Sequence, residues 1–414
     1  MTLTSASSTA QPGQLRAAEF VPLMATMTAL GAMSIDGMLP ALVQIGRDLR
    51  VANANDVQLV ISAIFIGMVF GGLLGGPLSD SFGRKTAIYW GMGLYVLGSL
   101  LCMVAGSFEL LLAGRVLQGF GSAIPAIVSI ALVRDLYVGD AMARILSFSM
   151  SVFILVPIVA PMAGQGVQLI GGWRLIFALY VVIAALTTLW FGFRQPETLT
   201  VQNRAPFAVG RIFGAVREVV SSRAAMGFAI SAGILFGAFL GYLSSSPQIF
   251  QEAYGVGTAF PFYFGSLAAA IGLAMAVNGA LVMRLGMQRL TNLAFFSIAG
   301  LSLLFLPFVV VSGGKPPLAA FMTYCCAAFF CFGVLIGNLN ALSMQALGHI
   351  AGVASAIINS LRLALALPLG VLIGRAFDGT VLPRVARFAV LASFALAATL
   401  WAERGRSKVA EVRP

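Results

Sequence analysis

Asp36 is the one acid that the chain places well inside a long apolar stretch; its other Asp and Glu residues fall in loops, tails or stretch ends. A carboxyl in hydrocarbon costs several kcal/mol unless it is paired or meets water. Where one is kept, the chemistry on offer is taking up and releasing a proton. Arg115 lies in a second apolar stretch at matching depth, one helical turn from Gln118. We therefore expect Asp36 and Arg115 within reach of each other, directly or through Gln118. Burial disfavours an ionised carboxyl and a neighbouring arginine favours it. Two readings stay open: a static ion pair that locks two helices, or an Asp36 that alternates between paired and protonated states. Arg362 is a third charge of this kind, in mid-stretch, and its half of the chain offers no matching acid. It either occupies a polar cavity beside Asn359, Asn338 and Asn340, where it meets an electronegative or anionic group, or it reaches water by extending its side chain.

The elements that must hold these residues are set by composition. Apolar residues make up 59% of the 414 and charged residues 9%, against roughly 25% charged in an ordinary soluble domain. A spanning helix needs about 20 apolar residues. Twelve such stretches can be read, at 20–42, 57–79, 86–106, 109–133, 147–170, 174–193, 224–248, 261–283, 291–312, 317–345, 351–374 and 385–402. They divide into an N-terminal bundle over 20–193 and a C-terminal bundle over 224–402. A basic linker, 194–223, joins them, with tails at 1–19 and 403–414. The apolar runs are too long and continuous for a β-barrel, and the polar N-terminal tail lacks a signal-peptide pattern.

An internal repeat supports the division. Between stretches 2 and 3 runs Gly76-Pro77-Leu78-Ser79-Asp80-Ser81-Phe82-Gly83-Arg84-Lys85, a tight charged turn. Gly279 and Gly286 repeat its two glycines about half the chain further on, with Met283 where Asp80 stands. Two related bundles joined end to end are how many secondary transporters are built.

Basic residues give the orientation. Most of the 25 fall on the side of the linker and both tails; Arg47, Arg50, Arg174, Lys315, Arg375, Arg384 and Arg387 fall on the other. That bias places both termini in the cytoplasm, and it accounts for the net charge of +11 without nucleic-acid binding, for which no basic face or aromatic-basic module is present. Cys102, Cys325, Cys326 and Cys331 all sit in apolar stretches and read as buried thiols; with His349 as the lone histidine, no metal or cofactor site is expected. Motifs of metalloproteases, α/β-hydrolases and P-loop NTPases are missing. Transport energy must then come from an ion gradient or from the substrate's own gradient.

Four segments together resemble the major facilitator superfamily, and within it the Bcr/CflA branch of twelve-span drug:proton antiporters. They are Asp36-Gly37-Met38-Leu39-Pro40-Ala41-Leu42, the Gly76–Lys85 loop, Arg115-Val116-Leu117-Gln118-Gly119-Phe120-Gly121, and Val156-Pro157-Ile158-Val159-Ala160-Pro161-Met162-Ala163-Gly164. The resemblance implies an all-α integral membrane protein with twelve transmembrane helices in two pseudo-symmetric six-helix bundles. It implies a single-chain exporter of drug-like small molecules across the bacterial inner membrane, driven by protons and working by alternating access. A dedicated exporter of a polar or anionic metabolite is the alternative, favoured by Arg362.

The resemblance also assigns roles. Asp36, Arg115 and Gln118 would couple protons. Asp80, set by Gly76, Gly83 and Arg84, would approach the start of span 11 and close the inner gate. Pro157 and Pro161 would bend span 5, and Gly164 and Gly166 would let it pack closely against the other half, although Gln165 replaces the usual second glycine. Substrate would contact Met33, Ser34, Phe236, Phe239, Tyr242, Phe329, Asn338 and Asn340, with Asn359 and Arg362 beside them. An aromatic and methionine lining suits bulky, partly apolar compounds because such side chains re-pack.

Overall fold

The computed structural model describes residue 15 and residues 17–410 apart from 205–208, 346, 348 and 349. Most of the N-terminal tail, Pro206, His349 and Arg413 lie outside the described residues. The described chain is helical throughout. It comprises α1 (Ala17–Asp36), α2 (Leu42–Asp48), α3 (Leu59–Phe82), α4 (Arg84–Met103), α5 (Phe108–Leu136), α6 (Gly139–Gly171) and α7 (Trp173–Arg194), then α8 (Val209–Ser221), and then α9 (Arg223–Pro247), α10 (Phe260–Leu285), α11 (Met287–Val311), α12 (Leu318–Met344), α13 (Ala351–Arg375) and α14 (Leu382–Ala410). Among the described residues, eleven helical segments are long and apolar enough to cross a membrane. The long helix α6 adds the apolar stretch Leu155–Gly171. Large side chains such as Phe193, Leu304 and Val311 point outward, exposed, as a lipid-facing belt requires.

The repeat seen in the sequence has a backbone cause. Helices α3 and α4 abut across Gly83 alone, at φ 102 and ψ 154. Helices α10 and α11 abut across Gly286 alone, at φ 78 and ψ 151. A one-residue joint with positive φ excludes almost every side chain, so glycine recurs there in both halves. Around the first joint, Arg84 pairs with Asp80 and donates to Asp135 at 2.9 Å. Glu197, at the start of the linker, accepts the backbone N–H groups of Arg84 and Lys85 at 3.0 and 2.9 Å. Lys85 Nζ caps α7 by donating to the Gly192 and Gln195 carbonyls. The loop is thus fastened to its own half. Asp80 meets Arg84 rather than the start of α13, because a guanidinium one turn away offers it a charge-assisted bond.

Glycines also set helix spacing within the first half. A Cβ on Gly119 of α5 would strike the Ile64 carbonyl of α3, and one on Gly67 would strike the Val116 carbonyl of α5. Small residues allow such close approach in membranes. In the linker, α8 lays Ala215 and Val219 against Ala354, Ile357 and Ile358 of α13.

The two halves meet along α3–α13 and α6–α10. Ser360 Oγ donates to the Val69 carbonyl at 3.3 Å, and Ile158 packs on Gly265. At the end remote from the linker the contacts tighten into a polar lock. Gln58 Nε2 donates to Gln248 Oε1 at 2.5 Å and to the Gly374 carbonyl at 3.1 Å. Asn55 Nδ2 donates to the Arg375 and Phe377 carbonyls, both at 3.0 Å, and Arg375 pairs with Asp56 at 2.8 Å. Toward the linker end, Leu73 of α3 packs on the cluster that holds Ala354, Ile357 and Ile358 of α13.

Candidate functional site

The first part of the site forms where α1 stops. Asp36 is its last residue, 6% exposed. The chain then leaves the helix through Gly37 into a 3-10 turn, Leu39–Ala41, with Pro40 at its start. A helix end leaves carbonyls short of intrahelical partners; the Met33 carbonyl still accepts the Gly37 N–H at 2.9 Å, and two side-chain donors reach this last turn. Arg115 Nη1 reaches the Ser34 carbonyl at 3.0 Å, and Tyr180 Oη reaches the Met33 carbonyl at 2.9 Å. A cation at a helix C-terminus is also favoured by the helix dipole.

Arg115 is fully buried and draws four helices together. Besides Ser34 of α1, its Nε donates to the Val60 carbonyl of α3 at 3.1 Å. Its Nη1 donates to Gln118 Oε1 at 2.7 Å. Gln118 Nε2 in turn donates to Ser99 Oγ of α4 at 2.8 Å, and the guanidinium lies 6.0 Å from the Phe177 ring centroid of α7. Tyr95 Oη and Ser34 Oγ stand 2.6 Å apart and extend the network.

The expected Asp36–Arg115 pair does not form. No ion pair involves Asp36 among the described residues, and Gln118 reaches Ser99 rather than bridging to the carboxyl. Matching depth was correct, but the guanidinium is consumed by carbonyls. Asp36 is therefore a buried carboxyl without a counter-charge. Ser34 is fully buried against Tyr95, so it braces α1 instead of lining a cavity. Met33 packs with Ala29, Val156 and Ala160, towards α6.

Helix α6 approaches this break. Pro157 and Pro161 lie inside one continuous helix. A Cβ on Gly164 would run into the Gly37 carbonyl oxygen. Gly164 thus seats α6 against α1 of its own half, not against the other half, and Gly166 has no neighbour within 4 Å. Contact with the second half is made by Ile158, and by Gln165 Nε2, which donates to the Thr258 carbonyl at 3.1 Å.

The second part of the site lies in the other bundle. A narrow cavity at the linker-side ends of α12 and α13 is lined by Phe236, Phe332, Asn340, Ser343, Asn359 and Arg362, among others. Of the residues singled out in the sequence, Phe236, Asn340, Asn359 and Arg362 come together here. The Arg362 guanidinium lies 5.0 Å from the Phe236 ring centroid, and its buried Nε has no hydrogen-bond partner. The residue as a whole is half-buried. Phe236 continues into an aromatic cluster with Phe239, Phe329, Phe332 and Tyr242, and it contacts Phe65 of the first half at 5.8 Å. Asn338 is not in the cavity. It exchanges two 3.0 Å bonds with Asn278 and ties α12 to α10.

Sequence reading missed one charge entirely. Arg384 was expected on the outer surface but is 6% exposed. It donates to Ser245 Oγ and to the Gly241 carbonyl of α9, over the Tyr242 ring at 5.2 Å. As Arg115 does for α1, Arg384 clamps the first long helix of its own half. Its place three residues into α14 carried no signal of burial.

The sequence profile described as Major Facilitator Superfamily matches residues 23–371. The chain belongs to the major facilitator superfamily. It is accordingly a membrane transporter and not an enzyme. An uncharacterised transporter of this type from Bacillus subtilis, YdgK, is 30% identical over 358 residues, covering 85% of this chain and 87% of the relative. A bicyclomycin resistance protein homolog from Haemophilus influenzae is 28% identical over 368 residues, covering 88% and 91%. The solved structure of a peptide transporter, POT, in complex with sulfate shares the fold, with TM-score 0.73 at 14% identity over 94% of this chain and 95% of that one.

Proposed function

We propose that this transporter exports drug-like small molecules in exchange for protons, by rocking its two bundles about a central site. The observation that carries the reading is the division of labour between the halves. One holds a buried carboxyl with no counter-charge, at a helix break. The other holds a cavity of aromatic rings, amides and one arginine. An ionised Asp36 in these surroundings costs several kcal/mol, and taking up a proton removes that cost. Exposure of Asp36 to water on one side and then the other would move that proton across. The name of the Haemophilus relative supports drug-like cargo.

Under this reading the linker end faces the cytoplasm of a bacterial inner membrane. The Gln58–Gln248–Gly374 lock is then an outer gate contact. Asp80, Arg84 and the joint at Gly83 hold the inner end of α3 as a rigid unit, and Pro157, Pro161 and Gly164 shape the α6 face on which the halves turn. Each proton entering gains roughly 2.3 kcal/mol per 100 mV of membrane potential. The working unit is a single chain. The test is uptake of a fluorescent dye into inverted membrane vesicles whose lumen has been made acidic. Dye movement that collapses with an uncoupler is expected; movement indifferent to the gradient contradicts proton exchange.

A further inference from the structure

We propose that the cavity beside Arg362 recognises the carboxylate of an aromatic acid. The inference deepens the export reading, on which it rests only in calling the bound compound cargo.

Four observations point to this chemistry. Arg362 carries a full charge on α13, within the bilayer-spanning part of the helix. None of the ion pairs among the described residues includes it. The cavity wall supplies no acid, only the polar side chains of Asn340, Ser343 and Asn359 around the guanidinium. The Arg362 Nε–H is buried and unpartnered. Phe236 already covers one face of the guanidinium at 5.0 Å, which offsets part of the cation's desolvation and leaves the in-plane N–H groups as its recognition edge. A carboxylate accepts from that planar edge through two parallel bonds, and the amides supply further donors. The remainder of the wall, Leu235, Phe332, Ile336 and Leu339, is apolar; the cavity as it stands has a volume of about 10 Å³, so an aryl body attached to that head group enters by displacing these side chains. A neutral or cationic ligand would leave the arginine unmatched.

The probe pair is naphthoate and its methyl ester, which differ in charge while keeping the same ring. Binding to purified protein in neutral detergent is measured by titration calorimetry, so no gradient is needed. The wild type is expected to hold the acid at least about tenfold tighter than the ester, the gap one charge-assisted bond supplies. Arg362→Gln should bring the two affinities together, and Arg362→Lys should keep a reduced preference. Equal affinities in the wild type, binding of neither compound, or a preference that survives in Arg362→Gln overturns the proposal. A lipid phosphate could use the same donors, so the titration is repeated with phosphatidylglycerol in the micelles. Persisting naphthoate binding assigns the site to cargo, and its loss assigns the site to lipid and overturns the proposal. Failure of gradient-driven export with the acid preference intact counts against proton exchange, not against this site.

Discussion

Replacing Arg115 by Met would separate a structural brace from a charge partner. The guanidinium makes three hydrogen bonds, to the Val60 and Ser34 carbonyls and to Gln118 Oε1. Measured hydrogen bonds between membrane helices average roughly 0.6 kcal/mol and reach about 1.7. Three of them lost together put the expected destabilisation at about 2–5 kcal/mol. The assay is denaturation in mixed micelles followed by tryptophan fluorescence, on the wild type, Arg115→Met, Asp36→Asn and the double variant. Because Arg115 braces α1 through backbone carbonyls and forms no ion pair with Asp36, the two effects should add to within about 0.5 kcal/mol. A coupling energy above about 1.5 kcal/mol, the range of residues in direct contact, would refute the reasoning and restore the ion pair. An Arg115→Met protein as stable as the wild type would refute the bracing role itself.

Other outcomes follow from the same geometry. Gly164→Val should prevent stable folding, because a Cβ there meets the Gly37 carbonyl, while Gly166→Ala, with open space around it, should express and melt like the wild type. Gln58→Ala should loosen the lock remote from the linker; labelling of an introduced Ser244→Cys by a membrane-impermeant maleimide should then speed up, and an unchanged rate would argue against Gln58 as a latch. Glu197→Ala removes the acceptor of the Arg84 and Lys85 N–H groups, so protease cleavage near Arg204 should increase.

Much of this architecture was readable in the chain. The one-residue joints at Gly83 and Gly286 follow from glycine's access to positive φ, and their spacing exposed the two halves. Charges in apolar stretches marked Asp36, Arg115 and Arg362 because hydrocarbon makes such residues costly. What could not be read was rotation about each helix axis. Residues two apart point to nearly opposite sides. Asn340 faces the cavity while Asn338 faces Asn278, and Ser34 faces Tyr95 of α4. The direction of the Arg115 side chain was hidden for the same reason, because backbone carbonyls of α1 and α3 also accept from a guanidinium. The lock between the halves joins Gln58 to Gln248 across 190 residues, and uncharged amides near helix ends carry no pattern that would pair them. Arg384 near the start of α14 looked like a surface residue because depth is judged from stretch ends, and the neighbouring helix α9 extends past it.

The most direct trial of the account is the Asp36→Asn protein in liposomes, compared with the wild type in two modes. A neutral amide that cannot exchange a proton should leave dye-for-dye exchange in place and remove all accumulation driven by a proton gradient. Gradient-driven accumulation at the wild-type rate in Asp36→Asn would contradict the claim that this carboxyl carries the proton.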